Sequence, residues 1–262
     1  MSVARNVLTA AVALMLAGCP SATADPGSDA NGAPVPVLRP TVLGETPHDP
    51  GAYTEGIELD GSALYEGTGE VGHSELRELD PATGTVRRAV RLPGLFGEGI
   101  TVVGDRILQL TWRDGVVIEW DKATFTRVRE VPLSGESWGL CRDGNRLVRS
   151  DGSDRLRFLD VTDLAETGSV GVTRNGQPLG GLNELECVDG QVWANVWPSD
   201  QIVRIDPAAG NVTAVVDASR LLDSTRRPVA DVLNGIAYAG GGQFLLTGKH
   251  WPTTFRVRFD PT

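Results

Sequence analysis

The chain has 262 residues, of which 40% are hydrophobic and 22% charged, a globular composition long enough for one large core. Thirty-two Gly and 16 Pro fit many turns and few helices. The formal charge of −10, with no basic stripe, excludes nucleic acid as a partner.

Residues 1–18 read as an address. Arg5 supplies a short positive region, and Val7 to Leu16 form an apolar stretch too short to span a membrane as a mature helix. The stretch ends Leu16-Ala17-Gly18-Cys19, which looks like a bacterial lipoprotein signal cut before a lipid-bearing cysteine. The plainer alternative is an ordinary secretory peptide with an incidental cysteine. Attachment at Cys19 predicts a lipid anchor in the bacterial cell envelope, in the periplasm or on the outer face of the cytoplasmic membrane. Residues 19–34 carry almost no apolar bulk and read as a flexible tether.

Residues 35–262 are patterned as short strands separated by Gly and Asp turns. One phrase recurs five times: Glu55-Gly56-Ile57, Glu98-Gly99-Ile100, Trp138-Gly139-Leu140, Asn183-Glu184-Leu185 and Asn234-Gly235-Ile236. A glycine turn follows each, at Gly61, Gly104, Gly144, Gly190 and Gly240. A period of this length predicts an all-β, five-bladed β-propeller, with the polar or aromatic residue that opens each phrase presented near the central axis. In the second repeat the strands are expected over residues 99–103, 106–112, 115–120 and 126–133. The first and fourth repeats share a turn, Asp80-Pro81-Ala82-Thr83-Gly84 and Asp206-Pro207-Ala208-Ala209-Gly210, a mark of duplication. Residues 219–231 form the longest irregular stretch. The fifth repeat ends one strand short, so residues 35–43 are expected to supply the missing strand and close the ring.

Two more cysteines lie in the repeats. Aligned on the phrase, Cys141 matches Glu58, whereas Cys187 matches Leu59, one position further on. Adjacent positions point to opposite faces of a sheet, so two free thiols are expected. His48, His73 and His250 show no metal-ligand spacing, and His48, in a Pro-bounded turn, is expected to be structural.

Longer phrases go beyond a generic propeller. They are Pro47-His48-Asp49-Pro50-Gly51-Ala52-Tyr53-Thr54-Glu55-Gly56, Leu95-Phe96-Gly97-Glu98-Gly99-Ile100-Thr101, Leu182-Asn183-Glu184-Leu185-Glu186 with Val192-Trp193-Ala194-Asn195-Val196-Trp197, and Leu233-Asn234-Gly235-Ile236-Ala237. Over residues 46–258 the chain resembles the plant and bacterial type of glutaminyl-peptide cyclotransferase. The resemblance implies an acyltransferase that turns an N-terminal glutamine into pyroglutamate and releases ammonia. It places the proton-transfer carboxyl at Glu98, further site residues at Asn183 and Lys249, and pocket walls at Trp112, Trp138, Trp197 and Phe96. Tyr53 and Glu55 join the substrate-binding set, although the family often has Gln where this chain has Glu55. The expected partners are peptides or proteins beginning with Gln, met by a monomer.

The chemistry suits these residue types. The substrate's α-amine attacks its own γ-carboxamide, so proximity is built in and no protein nucleophile is needed. One carboxyl raised towards neutrality by burial among tryptophans can take the amine's proton and return it to the leaving ammonia. Asn183 or Lys249 can stabilise charge on the carbonyl oxygen. Lys249 stands out in a chain with 22 Arg and two Lys. Trp120 and Trp193 lie on apolar strands and are expected to pack between sheets, and Asn234 to hydrogen-bond at a strand start. No cofactor is expected for catalysis, with a structural calcium at the axis as an option. Two other functions compete. A metal-dependent hydrolase of the lactonase kind would need Glu55, Glu98, Asn183 and Asn234 to converge on a cation. A non-catalytic binding propeller would need no pocket at all.

Overall fold

Apolar β-branched runs cut by left-handed turns fold each repeat into an antiparallel sheet of four strands. The computed structural model describes residues 34–262, so the signal, Cys19 and most of the tether lie outside the described residues. The second repeat comprises Gly97–Val103, Arg106–Thr111, Val116–Asp121 and Arg127–Pro132, close to the expected spans. All five glycine turns sit at positive φ, between 59° and 81°. The shared Asp-Pro turn works the same way in both copies. Asp80 Oδ1 accepts from Ala82 N at 2.8 Å, Asp206 Oδ1 accepts from Ala208 N at 2.9 Å, and Gly84 and Gly210 close the turns at φ 71° and 74°. In the second and third repeats Phe125 and Leu164 hold the corresponding left-handed position, at φ 55° and 62°. Burial of both side chains offsets that backbone strain.

Three repeats form separate four-stranded sheets, and the fourth and fifth run together. Strand Val37–Pro47 joins them. It pairs antiparallel with Thr253–Pro261, from Leu38↔Pro261 to Pro47↔Thr253, and parallel with Val215 and Val216 at its start. The N-terminal strand therefore completes the fifth sheet as expected, displaced to residues 37–47. The innermost strands Thr54–Asp60, Gly97–Val103, Leu140–Asp143, Leu182–Val188 and Leu233–Gly240 lie side by side, and the last returns to the first. The all-β, propeller-like arrangement is thus closed on itself. Residues 219–231 stay irregular apart from a single 3-10 turn, Arg227–Val229.

The inner strands approach so closely that the phrase needs its glycine. A Cβ on Gly139 would lie 2.2 Å from Asn183 O, and one on Gly99 2.6 Å from Trp138 O. The fourth repeat has Glu184 there instead, and its carboxylate accepts from Ile57 N at 3.3 Å and Ile236 N at 2.8 Å. Burial, with the charge of Glu186, pushes this carboxyl well above the ordinary range. Glu184 spends its oxygens on backbone N–H groups, and among the described residues no group of three or more His, Cys, Asp or Glu is placed to hold a metal.

Apolar side chains fill the spaces between neighbouring sheets. Trp120 packs with Ile107, Ile118 and Phe125, its Nε1 donating to Gln109 Oε1 at 3.1 Å, and Trp193 packs against Phe244 and Phe259. Both serve as packing, as expected. The cysteines correct the reading from sequence. Cys141 and Cys187 form a disulfide with a Cα–Cα distance of 5.5 Å, where free thiols were expected. Consecutive sheets stack face to face, so the front of one meets the back of the next. A one-residue offset between neighbouring repeats is therefore what brings the two sulfurs together. His48 is buried, not merely in a turn: Nδ1 lies 2.6 Å from Trp251 O and Nε2 2.9 Å from Glu66 Oε1. Burial works against its charge, yet Glu66 holds the imidazole above the ordinary histidine range. It fastens the end of the N-terminal strand to the first sheet.

Candidate active site

Four of the five phrase heads converge at one cavity of about 360 Å³. Its walls are Tyr53, Glu55, Phe96, Glu98, Trp112, Trp138, Asn183, Trp197 and Lys249, together with Arg113 and Glu136. All nine residues singled out in the sequence thus meet in one place. They come from different repeats, because each inner strand delivers its first residue to the same end of the ring.

At the floor lie two carboxyls and one ammonium. Lys249 Nζ donates to Glu55 Oε1 at 2.8 Å and stands 2.7 Å from Oε2 as an ion pair, with both side chains buried. Asn234 Nδ2 donates to Glu55 Oε2 at 3.2 Å and to Thr54 O at 3.1 Å, so the strand-start asparagine also braces the floor. Lys249 is itself held by its backbone, with N donating to Val232 O and O accepting from Asp231 N. Its Nζ stands 4.3 Å from the centre of the Tyr53 ring, a cation–π contact. Gly69 makes room for this floor, since a Cβ there would lie 2.8 Å from Glu55 Oε1 and 2.5 Å from the Phe96 ring.

Electrostatics separates the two carboxyls. Burial raises Glu55, but the Lys249 ammonium pulls it back and keeps it the more acidic. Burial and then the Glu55 charge push Glu98 well above the ordinary carboxylate range. The Glu55 charge opposes ionisation of Glu98 beside it, and with Lys249 paired to Glu55 the proton stays on Glu98. Burial disfavours the Lys249 charge, but Glu55 and Glu98 hold the ammonium above the ordinary lysine range.

Two polar atoms of the cavity are buried and unpartnered, Glu98 Oε2 and Asn183 Oδ1. Such atoms carry a desolvation cost that a substrate's N–H groups would relieve. The aromatic residues form the sides. Tyr53 meets Phe96 edge-on at 6.2 Å, Phe96 lies 5.4 Å from Trp112, and Trp138 meets Trp197 edge-on at 5.7 Å. Trp197 is 46% exposed and marks the mouth. The set does not suit a metal hydrolase, because an ammonium already occupies both oxygens of Glu55 and Asn234 turns to the same carboxylate. Arg113 and Glu136 went unnoticed in the sequence. They sit on connections, where no period marks them, and the one available signal was an acid two residues before Trp138.

Lys249→Ala strands a buried carboxylate, and the cost of breaking such a pair is about 3–5 kcal/mol. Denaturant unfolding is expected to show that loss, and adding Glu55→Gln is expected to recover most of it. An unchanged midpoint in the single variant would mean the ion pair is not what holds the floor.

A family model described as glutamine cyclotransferase matches residues 10–259. A glutaminyl-peptide cyclotransferase of Arabidopsis thaliana is 37% identical over 225 residues, 83% of this chain and 70% of that protein. A crystal structure of Myxococcus xanthus glutaminyl cyclase superposes with a TM-score of 0.79 at 37% identity, covering 87% of this chain and 99% of the other.

Proposed function

This chain belongs to the glutamine cyclotransferase family, and from that membership we propose how its cavity performs the glutaminyl-peptide cyclotransferase reaction. The substrate is a peptide or protein with an N-terminal glutamine. Its α-amine forms a bond to the γ-carbonyl carbon, the bond from that carbon to the amide nitrogen breaks, and ammonia leaves.

Glu98 carries the proton, in its ionised form taking it from the attacking amine and then returning it to the departing nitrogen. Raising the carboxyl narrows the gap to the α-amine's ordinary pKa of about 8 and so lowers the cost of the exchange in either direction. The observation that carries this reading is the pair of unpartnered buried oxygens, Glu98 Oε2 and Asn183 Oδ1, on two residues that line the same cavity as Lys249. The amine's N–H meets Glu98 and the carboxamide's N–H meets Asn183. Lys249 carries N–H groups beyond the one bonded to Glu55 Oε1, and they support charge on the carbonyl oxygen. Trp112, Trp138, Trp197, Phe96 and Tyr53 exclude water, which strengthens each of these contacts. No metal takes part.

A purified sample given a Gln-initiated peptide is expected to return a product lighter by one ammonia and blocked at its amino terminus. A chelator is expected to leave the rate unchanged. An unaltered peptide mass would refute the reading, and chelator inhibition would favour a metal hydrolase.

The same proposal places the enzyme, as a monomer, in the bacterial cell envelope with lipid on Cys19. Cys19→Ala is expected to move the protein out of the membrane fraction or leave it unprocessed. Unchanged fractionation would remove the anchor while leaving the enzymology untouched.

A further inference from the structure

One carboxylate at the pocket mouth holds two of its aromatic walls. Glu136 Oε1 accepts from Trp112 Nε1 at 2.5 Å and from Trp138 Nε1 at 3.0 Å, while Oε2 accepts from Arg113 Nε at 3.2 Å. The two indoles belong to the second and third repeats, so the carboxylate adds a side-chain bridge between these sheets to the backbone bond from Gly99 N to Trp138 O at 2.8 Å. Arg113 completes the arrangement by stacking its guanidinium 3.9 Å over the Trp112 ring.

The connection bearing Glu136 is itself fixed from beneath. Arg149 is a buried arginine whose nearest carboxylate, on Glu166, stands 4.0 Å away. Its guanidinium is spent instead on this connection, donating to Ser134 O at 3.1 Å and Ser137 Oγ at 3.2 Å. Ser137 N adds a bond to Trp112 O at 3.1 Å. Below the Trp138 ring, Gly152 leaves no space, for a Cβ there would lie 2.6 Å from it. The indole is confined on one side by backbone and directed on the other by Glu136.

From this geometry we infer that Glu136 is a positioning residue for the cyclisation, setting the separation and tilt of Trp112 and Trp138 so that they grip the N-terminal glutaminyl side chain. The inference rests on the cyclotransferase reading of the same cavity. An exposed carboxylate kept only for solubility would have no reason to receive two indole donors. Glu136 touches no reacting atom, so its main effect falls on binding, and its charge is the least of the named influences on Glu98. A hydrogen bond to a charged group is worth enough to change affinity about tenfold.

The test uses Glu136→Ala and Glu136→Gln in the full chain, with a Gln-initiated peptide. Glu136→Ala is expected to raise KM about tenfold or more with kcat lowered less than about threefold. The near-ultraviolet circular dichroism of its tryptophans, recorded without substrate, is expected to change. Glu136→Gln keeps an acceptor oxygen for the indoles and is expected to restore most of both readouts. Unaltered KM and an unaltered tryptophan spectrum in Glu136→Ala would overturn the inference. So would a loss confined to kcat, or equal damage from Gln and Ala. A wild-type protein that does not cyclise the peptide would instead defeat the underlying reading, while the substrate-free spectrum would still report on the clamp.

Discussion

Glu98→Gln is expected to lower kcat by about 10²–10⁴, the usual worth of a positioned proton carrier, while the fold and KM stay close to wild type. The amide matches the carboxyl in shape and still meets Glu55, but it cannot release and regain a proton. The wild-type pH profile should carry the same signature. As the base, Glu98 must be ionised, so activity is present above its raised pKa and is lost as pH falls through it. The charges facing it are Glu55 and Lys249 at the floor and Glu136 at the mouth, of which the carboxylates raise its pKa and the ammonium lowers it. Glu55→Gln removes the largest of the raising charges, so the acid limb of kcat/KM is expected to move to lower pH. Steady-state kinetics across pH on both variants decides the matter. Near-normal kcat in Glu98→Gln with an inactive Glu55→Gln would move the proton carrier to the first repeat.

The second large effect is on folding. A chain beginning at residue 48 lacks strand Val37–Pro47, and it is expected to give no soluble, cooperatively unfolding protein. That strand pairs along Thr253–Pro261 and bridges to Val215 and Val216, joining the fourth and fifth repeats. Its removal exposes the backbone N–H and C=O groups of Thr253–Pro261 as an open edge, ready to pair with another chain. Size-exclusion chromatography and denaturant unfolding are the measurements. A monomer with the wild-type midpoint would show that the ring does not depend on this strand.

Much of the site could be read directly because it rides on the repeat. Glu98, Trp138, Asn183 and Glu55 each open a copy of one phrase, and copies of one strand deliver their first residues to one end of a ring. Lys249 was visible because a chain rich in Arg keeps a Lys there. Glu136 was not, since it lies on a connection and acquires its role only when Trp112 and Trp138 bring their N–H groups to it.

By itself, then, the order of residues settled what is local and periodic: the strands, the glycine turns between them, and the need for an N-terminal strand. Hydrogen-bonding geometry and side-chain volume act over a few residues and leave their mark in the pattern. Only the tertiary structure decided what depends on contacts between sheets. Cys141 bonds to Cys187 because consecutive sheets meet front to back, a relation that alignment within a single sheet inverts. Glu184 stands in a glycine's place because backbone donors of two other repeats surround its carboxylate. Glu98 holds the proton and Glu55 the charge because Lys249, nearly two hundred residues away from Glu55 in sequence, lands on one carboxylate and not the other. Two glutamates that open nearly the same phrase thus differ in chemistry, since in a buried site the nearest cation selects which carboxyl ionises.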